Sequence, residues 1–161
     1  MSNSPAMEIW LQKLHAMKHF DPESVMPENL VVGPAAAHWL TPEVTGNPTK
    51  IGVLADIPAL SMEFYLQEIP AGEASDLQRH AHESVHVVLR GSGRSEIGPR
   101  VLPWAKGDLI YTPPWVWHRH YNDGTETVEM LLIENSRLLD QLGLNQRESA
   151  GLVSYNQFRG E

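Results

Sequence analysis

The chain has 161 residues, a net charge of −8, 42% hydrophobic and 20% charged residues, and no cysteine. That length and balance suit one soluble domain with a real core, and the negative charge argues against nucleic acid or an anionic membrane as a partner. Without cysteine, disulfides and thiolate metal ligands are excluded. This agrees with a reducing cytoplasm and leaves nitrogen and oxygen to hold any metal.

The first residues, Met1 to Glu8, carry neither the basic nor the apolar region of a signal peptide. Residues 8–20 place Ile9, Leu11, Leu14 and Met17 at near-helical spacing, closed by Pro22 and Pro27, and predict a short helix. Residues 33–48, rich in proline, alanine and glycine, read as an irregular arm. From there short apolar segments follow one another at 51–55, 61–69, 85–89, 94–97, 108–112, 118–122 and 127–134, separated by turn signals such as Gly91-Ser92-Gly93 and Asp123-Gly124. Regularly spaced short strands of this kind predict an all-β sandwich or barrel. Residues 136–144 predict a closing helix, with a polar tail after it. The expected organisation is a helix and arm over 1–48, a β-barrel over 49–135 and a helical tail over 136–161. The longest apolar runs, such as Met130 to Ile133, are too short to cross a bilayer. A soluble, cytoplasmic protein is expected.

The forty-one residues from His80 to His120 hold five of the eight histidines. Alternate residues of a strand share a face, so His80 and His82 are expected to point into one space, with His118 brought to them by a later strand. Three neutral imidazoles suit a divalent transition metal and leave coordination positions open for a substrate. His86 shares the parity of His80 and His82 and is expected to face the cavity as a ligand, substrate contact or proton carrier. His120 shares the face of His118 and suits an orienting partner for a metal-bound imidazole. Trp115 and Trp117 offer a wall for a planar substrate. Arg79, Arg119 and Glu83 fall on the opposite parity and are expected at the surface. His15, His19 and His38 lie outside the pattern and read as ordinary surface residues.

The spacing Gly107-x5-Pro113-x-Trp115-x2-His118-x3-Asn122 resembles the second motif of the cupin superfamily, with tryptophan where glycine is usual. Residues 77–86 resemble the first, and Gly91-Ser92-Gly93 is the turn that follows it. The run from Gly107 to His120 is similar to the matching stretch of gentisate 1,2-dioxygenases and their small single-domain relatives. The resemblance implies a single-domain jelly-roll (double-stranded β-helix) barrel with short terminal helices, whose motif strands bind one metal: iron foremost, or manganese, nickel or zinc. Two registers fit the first motif. One makes His80, His82 and His118 the ligands, with His86 where cupins usually carry glutamate. The other puts Gln78 in place of His82, so that His80 and His118 are ligands in both.

With ferrous iron, the resemblance implies a dioxygenase acting on a small hydroxylated aromatic or related acid. With another metal it implies an oxygen-independent isomerase, cyclase or lyase acting on a hydroxy acid or sugar. A non-catalytic binding protein would use the same pocket. By the same analogy the protein is a homodimer, with the arm at 33–48 crossing to the partner barrel.

Overall fold

A computed structural model describes residues 4–19 and 21–160. The chain opens with helix α1 (Pro5–Lys18), which starts where the Ser4 hydroxyl accepts a hydrogen bond from the Met7 amide at 3.3 Å and Pro5 takes the first helical position. The predicted helix therefore forms, one turn earlier than its apolar spacing suggested. Phe20 lies outside the described residues.

The strands that follow are β1 (His38–Leu40), β2 (Lys50–Val53), β3 (Glu63–Ile69), β4 (Leu77–His80), β5 (Ser84–Arg90) and β6 (Ser92–Ile97). After them come β7 (Arg100–Ala105), β8 (Leu109–Thr112), β9 (His118–Tyr121), β10 (Val128–Glu134) and β11 (Arg147–Gly151). Helix α2 (Pro42–Thr45) lies between β1 and β2, α3 (Ser136–Gln141) follows β10, and α4 (Tyr155–Arg159) closes the described chain. Two antiparallel sheets result, one in the order β1-β2-β3-β10-β5-β8 and one in the order β11-β4-β9-β6-β7. The fold is the expected all-β architecture of two sheets with short terminal helices.

Alternation explains the core. On β10, Val128, Met130 and Leu132 point inward and are buried, and they meet Ile69 of β3, Val88 of β5 and Ile110 of β8. Each such side chain contributes about 1.5–3 kcal/mol when fully buried. Ile97 and Trp104 close the core from the second sheet. Both edges of the ladder contain segments that sequence patterning did not resolve as strands. The arm at 33–48 carries β1, paired with β2, and the polar tail carries β11, paired with β4. Strand β7 contains Pro103 and sits at a sheet edge, the one place where a residue without an amide proton disturbs no second ladder. Among the described residues, no helix is long and apolar enough to cross a membrane.

The strand thought to run continuously through His80, His82 and His86 is broken. β4 ends at His80, residues 81–83 turn, and β5 begins at Ser84 in the other sheet. The chain crosses here from one wall of the barrel to the other. The crossing is pinned by Ala81, whose amide donates to the Gln146 carbonyl at 2.9 Å.

At Gly93 the neighbouring strands of the five-stranded sheet leave no room for any side chain. A Cβ there would collide with the Tyr121 carbonyl and lie 2.6 Å from the Trp104 ring. Gly93→Ala is expected to destabilise the protein by about 2–3 kcal/mol, the cost of overpacking against backbone. A lower urea midpoint at unchanged slope checks it.

Candidate metal centre

His80, His118 and His120 project from the five-stranded sheet, and His86 and Glu134 from the six-stranded one. All four of these imidazoles and that of His82 are buried. The two sheets thus direct their polar side chains into one space, a cavity of about 630 Å³ lined by His80, His82, His86, His120 and Glu134 among others.

His80 and His82 lie face to face, ring centroids 3.7 Å apart and planes 8° from parallel. Strand alternation does not bring them together, because residues 81–83 turn. The contact comes from the turn itself, closed by a 2.7 Å hydrogen bond from His80 Nδ1 to the His82 carbonyl. A carbonyl only accepts, so Nδ1 carries the proton and Nε2 keeps its lone pair. His118 is set the same way by the Val116 carbonyl at 2.9 Å. Both imidazoles therefore present a ligand-ready Nε2.

His82 differs. Its Nδ1 donates to the Asn145 side-chain oxygen at 2.9 Å, and its Nε2 lies 3.1 Å from Glu134 Oε2. Burial alone would lower its pKa, but the hydrogen bond and charge of Glu134, with Asn145, raise it above 6.5. Without metal, a proton bridges His82 and Glu134, and a cation can take that proton's place. The ligand atoms of His80, His82 and Glu134 all lie within 4.8 Å of one another. Their donor set of two imidazoles and one carboxylate fits a divalent metal.

His118 meets His80 edge-on at 4.7 Å, outside that group of three. Gln78, the alternative first-motif ligand, lines the cavity but uses its side-chain oxygen to accept from Arg147 Nε at 2.6 Å. Glu134 was not singled out as a site residue by sequence reasoning. Its signal was parity, since it continues the inward series Val128, Met130, Leu132 at the end of β10.

His86 and His120 pack at 4.4 Å. His120 Nδ1 is 2.7 Å from the Ser95 hydroxyl, which also accepts from Trp104 Nε1 at 2.8 Å. Among the described residues, both nitrogens of His86 and the Nε2 atoms of His118 and His120 are buried without a hydrogen-bond partner. Leaving a buried polar atom unpaired costs about 1–3 kcal/mol, so a cluster of four is a strong structural sign of a ligand.

The tryptophans stand elsewhere. Arg79 lies over the rings of Trp115 at 4.7 Å and Trp117 at 4.8 Å while pairing with Glu148 at 2.7 Å, and Trp117 packs on Phe158 of α4. Neither tryptophan lines the cavity, so the expected stacking wall is not there. Trp115 has φ +61°, the left-handed region where related motifs carry glycine. Its amide donates to the His80 carbonyl at 2.7 Å, tying this strained residue to the site. Of the residues expected at the surface, Glu83 is exposed and bonds the Tyr111 hydroxyl, whereas Arg119 is half-buried and donates to the Ser75 carbonyl at 2.7 Å.

Residues 65–134 match the family model described as a cupin domain. The chain is 33% identical over 89 residues to gentisate 1,2-dioxygenase of a Haloferax species, a match covering 52% of this chain and 25% of the relative. It is 31% identical over 77 residues to 1-methylthio-D-xylulose 5-phosphate methylsulfurylase of Rhodospirillum rubrum, covering 48% and 49%. The chain thus spans between a quarter and a half of the length of these relatives. A crystal structure of a cupin-2 domain protein from Rhodospirillum rubrum has a TM-score of 0.61 at 22% identity, covering 85% of this chain and 88% of that one. That likeness is one of fold.

The buried imidazoles set the acid response. Burial, with the charge of His82, holds His80 at about 4, and burial, with the neighbouring imidazoles, holds His86 at about 3. Burial also lowers His118 and His120 well below 6.5. These groups stay neutral when folded but take up protons when unfolded, so stability falls as pH drops from about 6.5 toward 4. His82, shifted the other way, stabilises below 6.5 and loses that contribution as pH rises through its folded value. Four lowered groups outweigh one raised group. The metal-free protein is therefore expected to lose stability steeply below pH 6.5, by up to about 1.4 kcal/mol per unit for each imidazole. Urea midpoints across pH 7.5 to pH 4.5 measure it, and His86→Leu should flatten the slope.

Proposed function

The chain carries a cupin domain, and on that premise we propose that it is a non-haem Fe(II) dioxygenase acting on a small hydroxylated aromatic or related acid. The observation that carries the reading is the clustering of His80, His82 and Glu134 within 4.8 Å. Two imidazoles and one carboxylate on one side of a metal, with the other positions open, are the donor set of non-haem Fe(II) oxygenases. Similarity to gentisate 1,2-dioxygenase over half of this chain points the same way.

In this reading His80 Nε2, His82 Nε2 and Glu134 hold the metal, and His118, with its free Nε2 edge-on to His80, is the imidazole placed to join them. When bound, ferrous iron would supply the site for dioxygen and for a chelating substrate. The protein's own residues do the rest. The carbonyls of His82 and Val116 fix the imidazole tautomers, and Asn145 orients His82. His86 and His120, buried and neutral, stand on the inner wall to accept hydrogen bonds from a substrate hydroxyl. The reading includes a homodimer, supported by Ile9, Trp10 and Met17, which α1 leaves exposed.

A second reading has one observation in its favour, the similarity to 1-methylthio-D-xylulose 5-phosphate methylsulfurylase. There the same ligands would hold manganese, nickel or zinc for isomerase or lyase chemistry without oxygen.

Anaerobic loading is expected to give about one Fe(II) per chain. His80→Ala and Glu134→Ala should each weaken binding by more than the roughly 10–100-fold that loss of an outer-shell partner costs. Oxygen uptake with a panel of hydroxybenzoates and catechols is expected for the iron-loaded protein. No uptake with any of them rejects the dioxygenase, and turnover that persists without oxygen establishes the second reading.

A further inference from the structure

Strand β11 lies beyond the residues matched by the family model, yet it completes one wall of the cavity. In the ladder between β11 and β4, Arg147 stands directly opposite His80. Residues so paired share a face of the sheet with Cβ atoms about 5 Å apart. Both side chains line the cavity, so the guanidinium is a neighbour of the candidate metal centre.

Arg147 is the one Arg or Lys among the described residues that line this space, which also contains Glu63, Glu134 and Asp140. It is held in place from behind. Nε donates to Gln78 at 2.6 Å and Nη2 to Asp76 Oδ2 at 3.0 Å. Asp76 does not depend on it, because Asn47 donates to Oδ1 and Ser149 to Oδ2, each at 2.7 Å. The side chain is 57% exposed, and Nη1 has no hydrogen-bond partner among the described residues. An arginine whose inner edge is fixed and whose outer nitrogen is unused presents an oriented donor to an anion.

We propose that Arg147 is the specificity-determining residue of the cavity and binds the carboxylate of the substrate beside the metal held by His80. This rests on the metal-centre reading above and extends it to the substrate's charged end. A single carboxylate fits best. Asp76 already takes part of the guanidinium, and the three other acids facing the cavity oppose a dianion such as a phosphate. The neighbourhood of Arg147 and His80 requires the carboxylate to lie close to the oxygen that meets the metal, as in a 2-hydroxybenzoate.

The test compares salicylate with salicylamide, which share shape and the ortho hydroxyl but differ in charge. Calorimetric titrations use protein loaded with Mn(II), whose uptake is measured first. Wild type is expected to prefer salicylate by at least about tenfold. Arg147→Gln should remove that preference, leaving salicylamide within threefold and Mn(II) content unchanged. Arg147→Lys, which keeps the charge without the planar fork, should retain part of it. Equal binding of both probes by wild type overturns the proposal without any variant, as does an Arg147→Gln protein that keeps the preference or loses both probes alike. Absence of Mn(II) uptake instead counts against the metal centre, and the salicylate preference of the metal-free protein then still reports on Arg147.

Discussion

Burial of five imidazoles between two apolar sheets is the constraint on which the rest of this structure turns. A protonated imidazole pays heavily for leaving water, so burial drives His80, His86, His118 and His120 to the neutral form. Neutral imidazole has one donor and one acceptor nitrogen, and the backbone decides which is which. The carbonyls of His82 and Val116 take the Nδ1 protons of His80 and His118 and aim two unprotonated Nε2 atoms inward. His82 alone is shifted upward, because Glu134 reaches its place in the turn from the six-stranded sheet. A divalent cation held by His80, His82 and Glu134 would take the place of the proton that His82 and the carboxylate now share.

The architecture serves that convergence. β4 and β5 belong to different sheets, so the short passage through Ala81, His82 and Glu83 carries the chain across the barrel and stacks two imidazoles at the crossing. Outside the barrel wall, Trp115 adopts a left-handed backbone and lies with Trp117 against Arg79, which is itself paired with Glu148 of β11. These contacts brace β4 from behind, and the Trp115 amide reaches the His80 carbonyl. The strain at Trp115 is offset by stacking on a guanidinium, which a glycine could not provide. The tryptophans therefore support the site from its outer side and stay clear of the cavity.

Much of this was legible in the order of residues. Short apolar segments between glycine-rich turns specify antiparallel strands wherever one face is buried, and β3, β5, β8, β9 and β10 follow that alternation closely. Histidine density between positions 80 and 120 marked the polar interior, because five imidazoles on strand segments have few other places to go. What patterning missed were edge strands, one poor in apolar residues (β11) and one interrupted by Pro103 (β7). They are held by ladder hydrogen bonds to β4 and β6 that leave no periodic trace in their own side chains.

By itself the sequence determined the class of fold, the segment that lines the barrel and the chemistry available there, nitrogen and oxygen without sulfur. Tertiary structure alone decided which of these groups meet. His82 joins His80 through a turn rather than a strand, Glu134 arrives from residue positions far along the chain, and Arg147 stands opposite His80 on a strand that looks like a tail. The physical reason is that local propensity fixes which face a residue presents. Sheet register and strand crossing, set by long-range pairing, fix what lies opposite that face.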